Sequence, residues 1–249
     1  GRCARSARTD PFGLKDVNMK TSKLLIAAAA VLTFVASAVL AAEPGTWTLR
    51  AGVGMVSPQS NNLVFSDGTN TLQVNVDDGT AVTLSATYFF TENWAFDILG
   101  ATPFSHDINA TITDSVDPGF SGPVSLQIAE TKHLPPTFSM QYHFVPDGTF
   151  QPYVGLGLNW TTFFDSKMHP DLVEAGIEDI DLDDSFGVAA QVAADWYLND
   201  RWLINFDVRW ANIETDATLS STALGGSVDI GTVKIDPWVY AINVGYHFN

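Results

Sequence analysis

Two arginines and three aspartates stand out, because nothing around them suits a free charge. Arg50, Asp97, Asp195, Asp207 and Arg209 fall on one parity of stretches that otherwise alternate between apolar and small residues. Guanidinium against carboxylate is a strong, directional pairing, and burying such charges is tolerable only when they are paired and hydrogen-bonded. The set therefore reads either as a gate across a narrow interior or as filling that stabilises it. Catalytic chemistry is harder to build. Ser105, His106 and Asp107 are sequence neighbours, but adjacent strand residues point to opposite faces, and no nucleophile elbow is present. A calcium loop fails in Asp179–Asp183, where Asp184 replaces the needed glycine and Ala190 is no ligand. No metal, cofactor or catalytic residue is assigned.

The elements that must position these charges have a period of two. Val82, Leu84, Ala86, Tyr88 and Phe90 alternate with smaller or polar residues. Phe186, Val188, Ala190, Val192, Ala194, Trp196 and Leu198 do the same. That is a strand pattern. It predicts eight strands over 46–57, 80–90, 94–108, 129–144, 151–164, 185–198, 202–218 and 233–248. Short connections of turn-forming residues (91–93, 145–150 and 199–201) alternate with long ones near 57–79, 109–128, 165–184 and 219–232. Phe90, Trp94, Phe144, Trp196, Trp202, Tyr246 and Phe248 gather beside the short turns and near the C-terminus, as an interfacial girdle would.

Composition narrows the class further. Hydrophobic residues make up 46% and charged residues 16% of the 249, with a formal net charge of −16. Nucleic acid is excluded as a partner, since binding it needs a basic surface. Met19–Ala42 carries a basic start, an apolar run and a small-residue end, which reads as a signal peptide. Residues 1–18 read as a non-native extension that carries the single cysteine, Cys3. The remaining 43–249 form one barrel domain with 6 basic and 26 acidic side chains. Six basic residues are too few for a water-exposed sheet. The expected fold is all-β: an eight-stranded antiparallel transmembrane β-barrel with short periplasmic turns and long extracellular loops.

Several separate stretches, in order, resemble the OmpW family of outer-membrane proteins. They are Ala101–Phe104 followed by His106, His133–Thr137, Pro152–Asp165, Glu174–Gly176, Asp236–Val239 and Gly245–Phe248. The resemblance implies a Gram-negative outer membrane and a narrow lumen. It also implies passive passage of small hydrophobic molecules, and some members are bacteriocin or phage receptors. The alternative is a structural or receptor barrel without transport, and an outer-membrane enzyme is a lesser reading from another class. Implied partners are outer-membrane lipid, lipopolysaccharide, small hydrophobic molecules and the barrel-insertion machinery. Outer-membrane barrels usually end on an aromatic residue, whereas here Asn249 follows Phe248.

Alternation assigns Arg50, Asp97, Leu99, Gln141, Gln191, Asp195, Asn205, Asp207, Arg209, Asn243 and His247 inward near the short-turn end. Within this set Arg50, Asp97, Leu99, Asp195, Asp207 and Arg209 are the expected lumen plug or gate. A charged plug turns an apolar solute aside, so release through the wall is expected. Pro103, Pro135 and Pro136, with Pro237 in the last strand, lack the N–H that strand pairing needs. Phe104, Leu134 and Phe163 are expected to add apolar surface beside that opening. A second reading has these prolines merely end strands where the sheet leaves the lipid.

Overall fold

The computed structural model describes residues 43–59, 62–66, 70–115, 121–223 and 225–248. The expected signal peptide at 19–42, the expected extension at 1–18 and Asn249 lie outside the described residues. In chain order the strands are β1 (Trp47–Ser57), β2 (Leu63–Ser66), β3 (Asn70–Val76), β4 (Gly79–Phe89), β5 (Trp94–Ala101), β6 (Phe104–Ser115), β7 (Val124–Leu134) and β8 (Thr137–His143). Then come β9 (Phe150–Met168), α1 (Pro170–Glu174), β10 (Ile177–Leu182), β11 (Ser185–Tyr197), β12 (Trp202–Ala211), β13 (Glu214–Ser221), β14 (Gly226–Lys234) and β15 (Trp238–Phe248).

Eight of these close a ring. β1 pairs with β4, then β5, β8, β9, β11, β12 and β15 follow, and β15 returns to β1, every neighbour antiparallel. Closure into a ring removes the open sheet edges whose backbone groups lipid could not satisfy. The lipid-facing parity of the wall strands is apolar, and the inward parity is mostly polar, with a few buried apolar residues such as Phe89 and Leu203. In β12, Asn205, Asp207 and Arg209 are buried, while Trp202 and Phe206 are exposed. The exposed apolar band is stable only in hydrocarbon. Trp47, Trp94, Phe144, Trp196, Trp202 and Phe248 mark its periplasmic edge as exposed aromatics. Trp160 within β9, Phe186 near the start of β11 and Trp238 at the start of β15 mark a second girdle at the level of the break, not foreseen in the sequence.

The long connections carry strands of their own, which the sequence reading did not foresee. Seven of the eight wall strands break near one level, and the chain resumes as strand above it. The breaks fall at Pro58, Asp77-Asp78, Thr102-Pro103, Pro135-Pro136, Asp183-Asp184, Asn212-Ile213 and Asp236-Pro237. Proline, aspartate and asparagine supply the turn angles that a continuous strand cannot hold. Only β9 runs through among the described residues. Above the break stand two sheets: β9, β7, β6, β3 and β2 in one, β10, β13 and β14 in the other. Two apolar clusters fill the space within them. One is centred on Val74, Ile108, Ala129 and Ile180; the other is centred on Ile213, Ala217, Val233 and Ile235.

Candidate functional site

The interior has three levels, each made by a different side-chain chemistry. The lowest is a continuous buried hydrogen-bond network. Arg50, fully enclosed, pairs with Asp195 through two nitrogens, Nε to Oδ1 at 3.1 Å and Nη2 to Oδ2. Its third nitrogen, Nη1, donates to Thr87 Oγ1 at 2.5 Å. Thr87 donates in turn to Asp97 Oδ1 at 2.7 Å. Asp97 Oδ2 accepts from Arg209 Nη2 at 2.8 Å, and Arg209 also holds Asp207. Gln191 donates to Asp207 at 2.5 Å, and Gln141 donates to Gln191 at 3.1 Å. Asn205 adds donors to Asp195 at 2.8 Å and to Tyr153 at 2.9 Å.

The structure thus brings together Arg50, Asp97, Asp195, Asp207 and Arg209, the five charges that the sequence set apart. All five are buried. Eight strands enclose only enough space for side chains, and these side chains fill it. Two points differ from the sequence reading. Arg209 does not lie near the short turns: it sits two residues from the outer end of β12, because alternation fixes the face but not the depth. Leu99 is not part of the network, but lines the small cavity above it.

That second level is a neck of about 30 Å³. Arg209 lies in its lining with Leu99, Phe104, His133, Pro135 and Asn159. Beside it the wall pairing lapses. The β5–β8 ladder ends at Leu99↔Thr137, and the β6–β7 ladder begins at Phe104↔His133. Other breaks are bridged. Asp77 N–H donates to the Asp107 carbonyl, Asn212 N–H to Val188 and Ile235 N–H to Ile213. Among the described residues, no backbone hydrogen bond spans Gly100–Pro103 and Leu134–Pro136. The three prolines there have no N–H to give. Pro136 turns its carbonyl to Trp160 N–H on β9 instead, at 3.0 Å.

The third level is an apolar cavity of about 210 Å³ between the two outer sheets. Leu72, Val74, Ile108, Phe163, Ile180 and Val233 contribute to its wall. An apolar cavity of ~150 Å³ is already enough to hold benzene. His133 lines both this cavity and the neck. Its ring stacks on His106 at 4.8 Å and on Phe104 at 5.5 Å. Burial pushes the His133 imidazole down to about 3 and lowers His106, so both stay neutral at pH 7.

Of the remaining expected residues, Phe104 and Pro135 line the neck and Phe163 the outer cavity. Leu134 and Pro103 line neither, since each has the parity opposite to its inward neighbour, His133 or Phe104. Ser105, His106 and Asp107 split as expected for a strand: His106 is buried and the other two are exposed. The outer cavity itself was missed. Its signal was the alternation Leu72-Val74-Val76 and the pair Ile180 and Leu182, inside segments read as loops.

The comparisons fit this architecture. The OmpW family model matches residues 43–248. Outer membrane protein W of Vibrio cholerae is 44% identical over 228 residues, spanning 91% of this chain and 100% of that protein. Outer membrane protein W of Escherichia coli is 37% identical, spanning 91% and 99%. The crystal structure of OprG from Pseudomonas aeruginosa superposes with a TM-score of 0.73 at 32% identity, covering 85% of this chain and 99% of that one. The closed eight-stranded barrel of this chain matches that solved structure, and the chain belongs to the OmpW family, non-enzymatic barrels of the Gram-negative outer membrane.

Proposed function

We propose that the barrel admits small hydrophobic molecules from outside, holds them in the outer cavity and releases them sideways into the membrane. One observation carries this reading: the apolar cavity ends on a sealed charge network, and the unpaired stretch of wall lies beside that end. An apolar solute gains by entering the cavity, at about 25 cal/mol for each Å² removed from water. Moving on down the axis would strip hydrogen bonds from buried charges, and each unpaired charge costs several kcal/mol. Sideways exit demands less, since no backbone hydrogen bond closes the wall there. Surrounding outer-membrane lipid receives the solute. The alternating apolar set ending on Tyr246 and Phe248 serves the insertion machinery.

Uptake of an apolar fluorescent probe by vesicles tests the proposal. Ala101→Trp puts a large ring at the neck, beside the unpaired stretch. It should slow probe entry about tenfold while the barrel still resists SDS until heated. Entry at the parent rate through a correctly folded Ala101→Trp barrel would refute the lateral route.

A further inference from the structure

The neck holds unspent hydrogen-bonding capacity. Arg209 commits Nε to Asp207 and Nη2 to Asp97 and Asp207, but its buried Nη1 has no partner among the described residues. His133 Nε2 is likewise buried and unpartnered. Both residues are at least nine-tenths buried, with 5% and 3% exposure, and both line the neck. A buried polar atom left unsatisfied costs roughly 1–3 kcal/mol, so a bound group that satisfied one would be held there.

Chemistry restricts what that group is. A guanidinium nitrogen only donates, so the atom facing Arg209 Nη1 must accept. A neck of about 30 Å³ has room for one small group, and the apolar body would remain in the 210 Å³ cavity above. A carboxylate is disfavoured. Arg209 already serves two carboxylates, and the network holds three aspartates against two arginines, so a further anion would enter without a counter-charge. His106 donates from Nδ1 to the Asp77 carbonyl at 2.6 Å, which leaves its neutral Nε2 an acceptor in the outer cavity. This surrounding is polar enough for an oxygen and offers nothing to a charge.

We infer that the site selects apolar molecules bearing one uncharged oxygen terminus, a carbonyl or hydroxyl, seated in the neck against Arg209 and His133. The inference rests on the proposed uptake function and names the substrate class within it. It treats the cavity as a reader of amphiphiles rather than a passive hole for hydrocarbon.

Binding to the full barrel in lipid nanodiscs separates the two readings. The probes are acetophenone, its hydrocarbon counterpart isopropylbenzene, and benzoate. Methyl resonances of Leu72, Val74 and Ile180 report cavity occupancy, with each affinity corrected for partition into lipid. One net hydrogen bond corresponds to about three- to tenfold in affinity. Acetophenone should bind that much more tightly than isopropylbenzene, and benzoate at least about tenfold more weakly than acetophenone. His133→Phe should lower the acetophenone-to-isopropylbenzene ratio, while the Arg209 donor remains. On the unaltered protein, acetophenone should move the His133 Nε2 nitrogen resonance and isopropylbenzene should not, which gives a readout even where the variant fails to fold. Equal affinity for acetophenone and isopropylbenzene, or a ratio unchanged by His133→Phe, overturns the inference but leaves hydrophobic uptake standing. If no probe moves the cavity methyls, the uptake proposal falls and the inference falls with it.

Discussion

Replacing Arg50 by methionine should show how much of the barrel rests on its interior charges. Methionine keeps length and apolar bulk, so the change removes charge and three hydrogen bonds with little loss of volume. Asp195 would lose both bonds from Arg50 and keep only the Asn205 amide, at 2.8 Å. Thr87 would lose a donor but keep Asp97. Three buried carboxylates would then face one guanidinium. Breaking one side of a buried pair costs about 3–5 kcal/mol, mostly as the penalty for the stranded partner. The double change Arg50→Met with Asp195→Leu strands nothing and should recover most of that loss, since apolar replacements of buried pairs are often neutral. Urea unfolding of the barrel in lipid vesicles, followed by tryptophan fluorescence, measures both. The reasoning fails if Arg50→Met costs under about 1 kcal/mol, or if the double variant is no more stable than the single one.

Other consequences are as direct. Gly157→Ala would place a Cβ 2.1 Å from the Phe138 carbonyl oxygen and 2.8 Å from Ser139 Cα, so β8 and β9 must separate. A loss of about 1–3 kcal/mol is expected by the same unfolding assay, and an unaltered midpoint would contradict the close approach. Asp165 lies in the outer region between Lys132 and Lys167, whose hydrogen bonds hold its carboxyl down to about 2. The carboxylate is favoured in the folded state, so the stabilisation is present above about pH 4 and fades as pH falls toward 2. A carboxyl NMR titration should find that midpoint near 2, and one near 4 would show the lysines to be unengaged. His133 acts in the same direction. Its folded value of about 3 lies below the usual histidine value, so the unfolded chain takes up the proton first, and stability declines as pH falls from about 6.5 toward 3. Nitrogen shifts that titrate near 6.5 would place the ring in water. Epitope tags within Leu172–Ile177 should be labelled on intact cells and tags at Asp147 or Asn199 should not; the reverse pattern would invert the topology.

The wall was legible because lipid imposes a strict alternation on it. Val82, Leu84 and Ala86 face hydrocarbon, Thr83, Ser85 and Thr87 do not, and the five network charges fell on the inward parity for the same reason. Depth was not legible. Arg209 and Leu99 obey the alternation, yet the sequence reading put them too low, since period two carries no information about height. The outer sheets were hidden for a different reason. Of their strands β2, β3 and β10 are short, the segments are bounded by Asp-Asp, Asn and Pro, and polar residues such as Asn75, Asp179 and Asp181 alternate with the cavity wall. Next to turn chemistry such segments read as loops. The long strands proposed over 94–108, 129–144, 202–218 and 233–248 ran through Pro103, Pro135-Pro136, Asn212 and Pro237. Proline's missing N–H predicts a break at Pro103, Pro135-Pro136 and Pro237, Asn212 supplies turn angles at the fourth, and the break is what separates wall from cavity. Pairing between His106 and His133, twenty-seven residues apart in the chain, depends on the register of β6 against β7 and had no local signature.

The route of the solute is tested most directly by where a photo-reactive apolar molecule becomes attached. A diazirine-bearing alkane would be added from outside to the barrel in bilayers and activated by light, and the labelled residues mapped by mass spectrometry. Lateral release predicts attachment in the outer cavity, at Val74, Phe163 and Ile180, and beside the unpaired wall, at Ala101, Phe104 and Pro135. Attachment below the charge network, at Thr48 or His247, would mean that the solute travels the axis and would contradict the account.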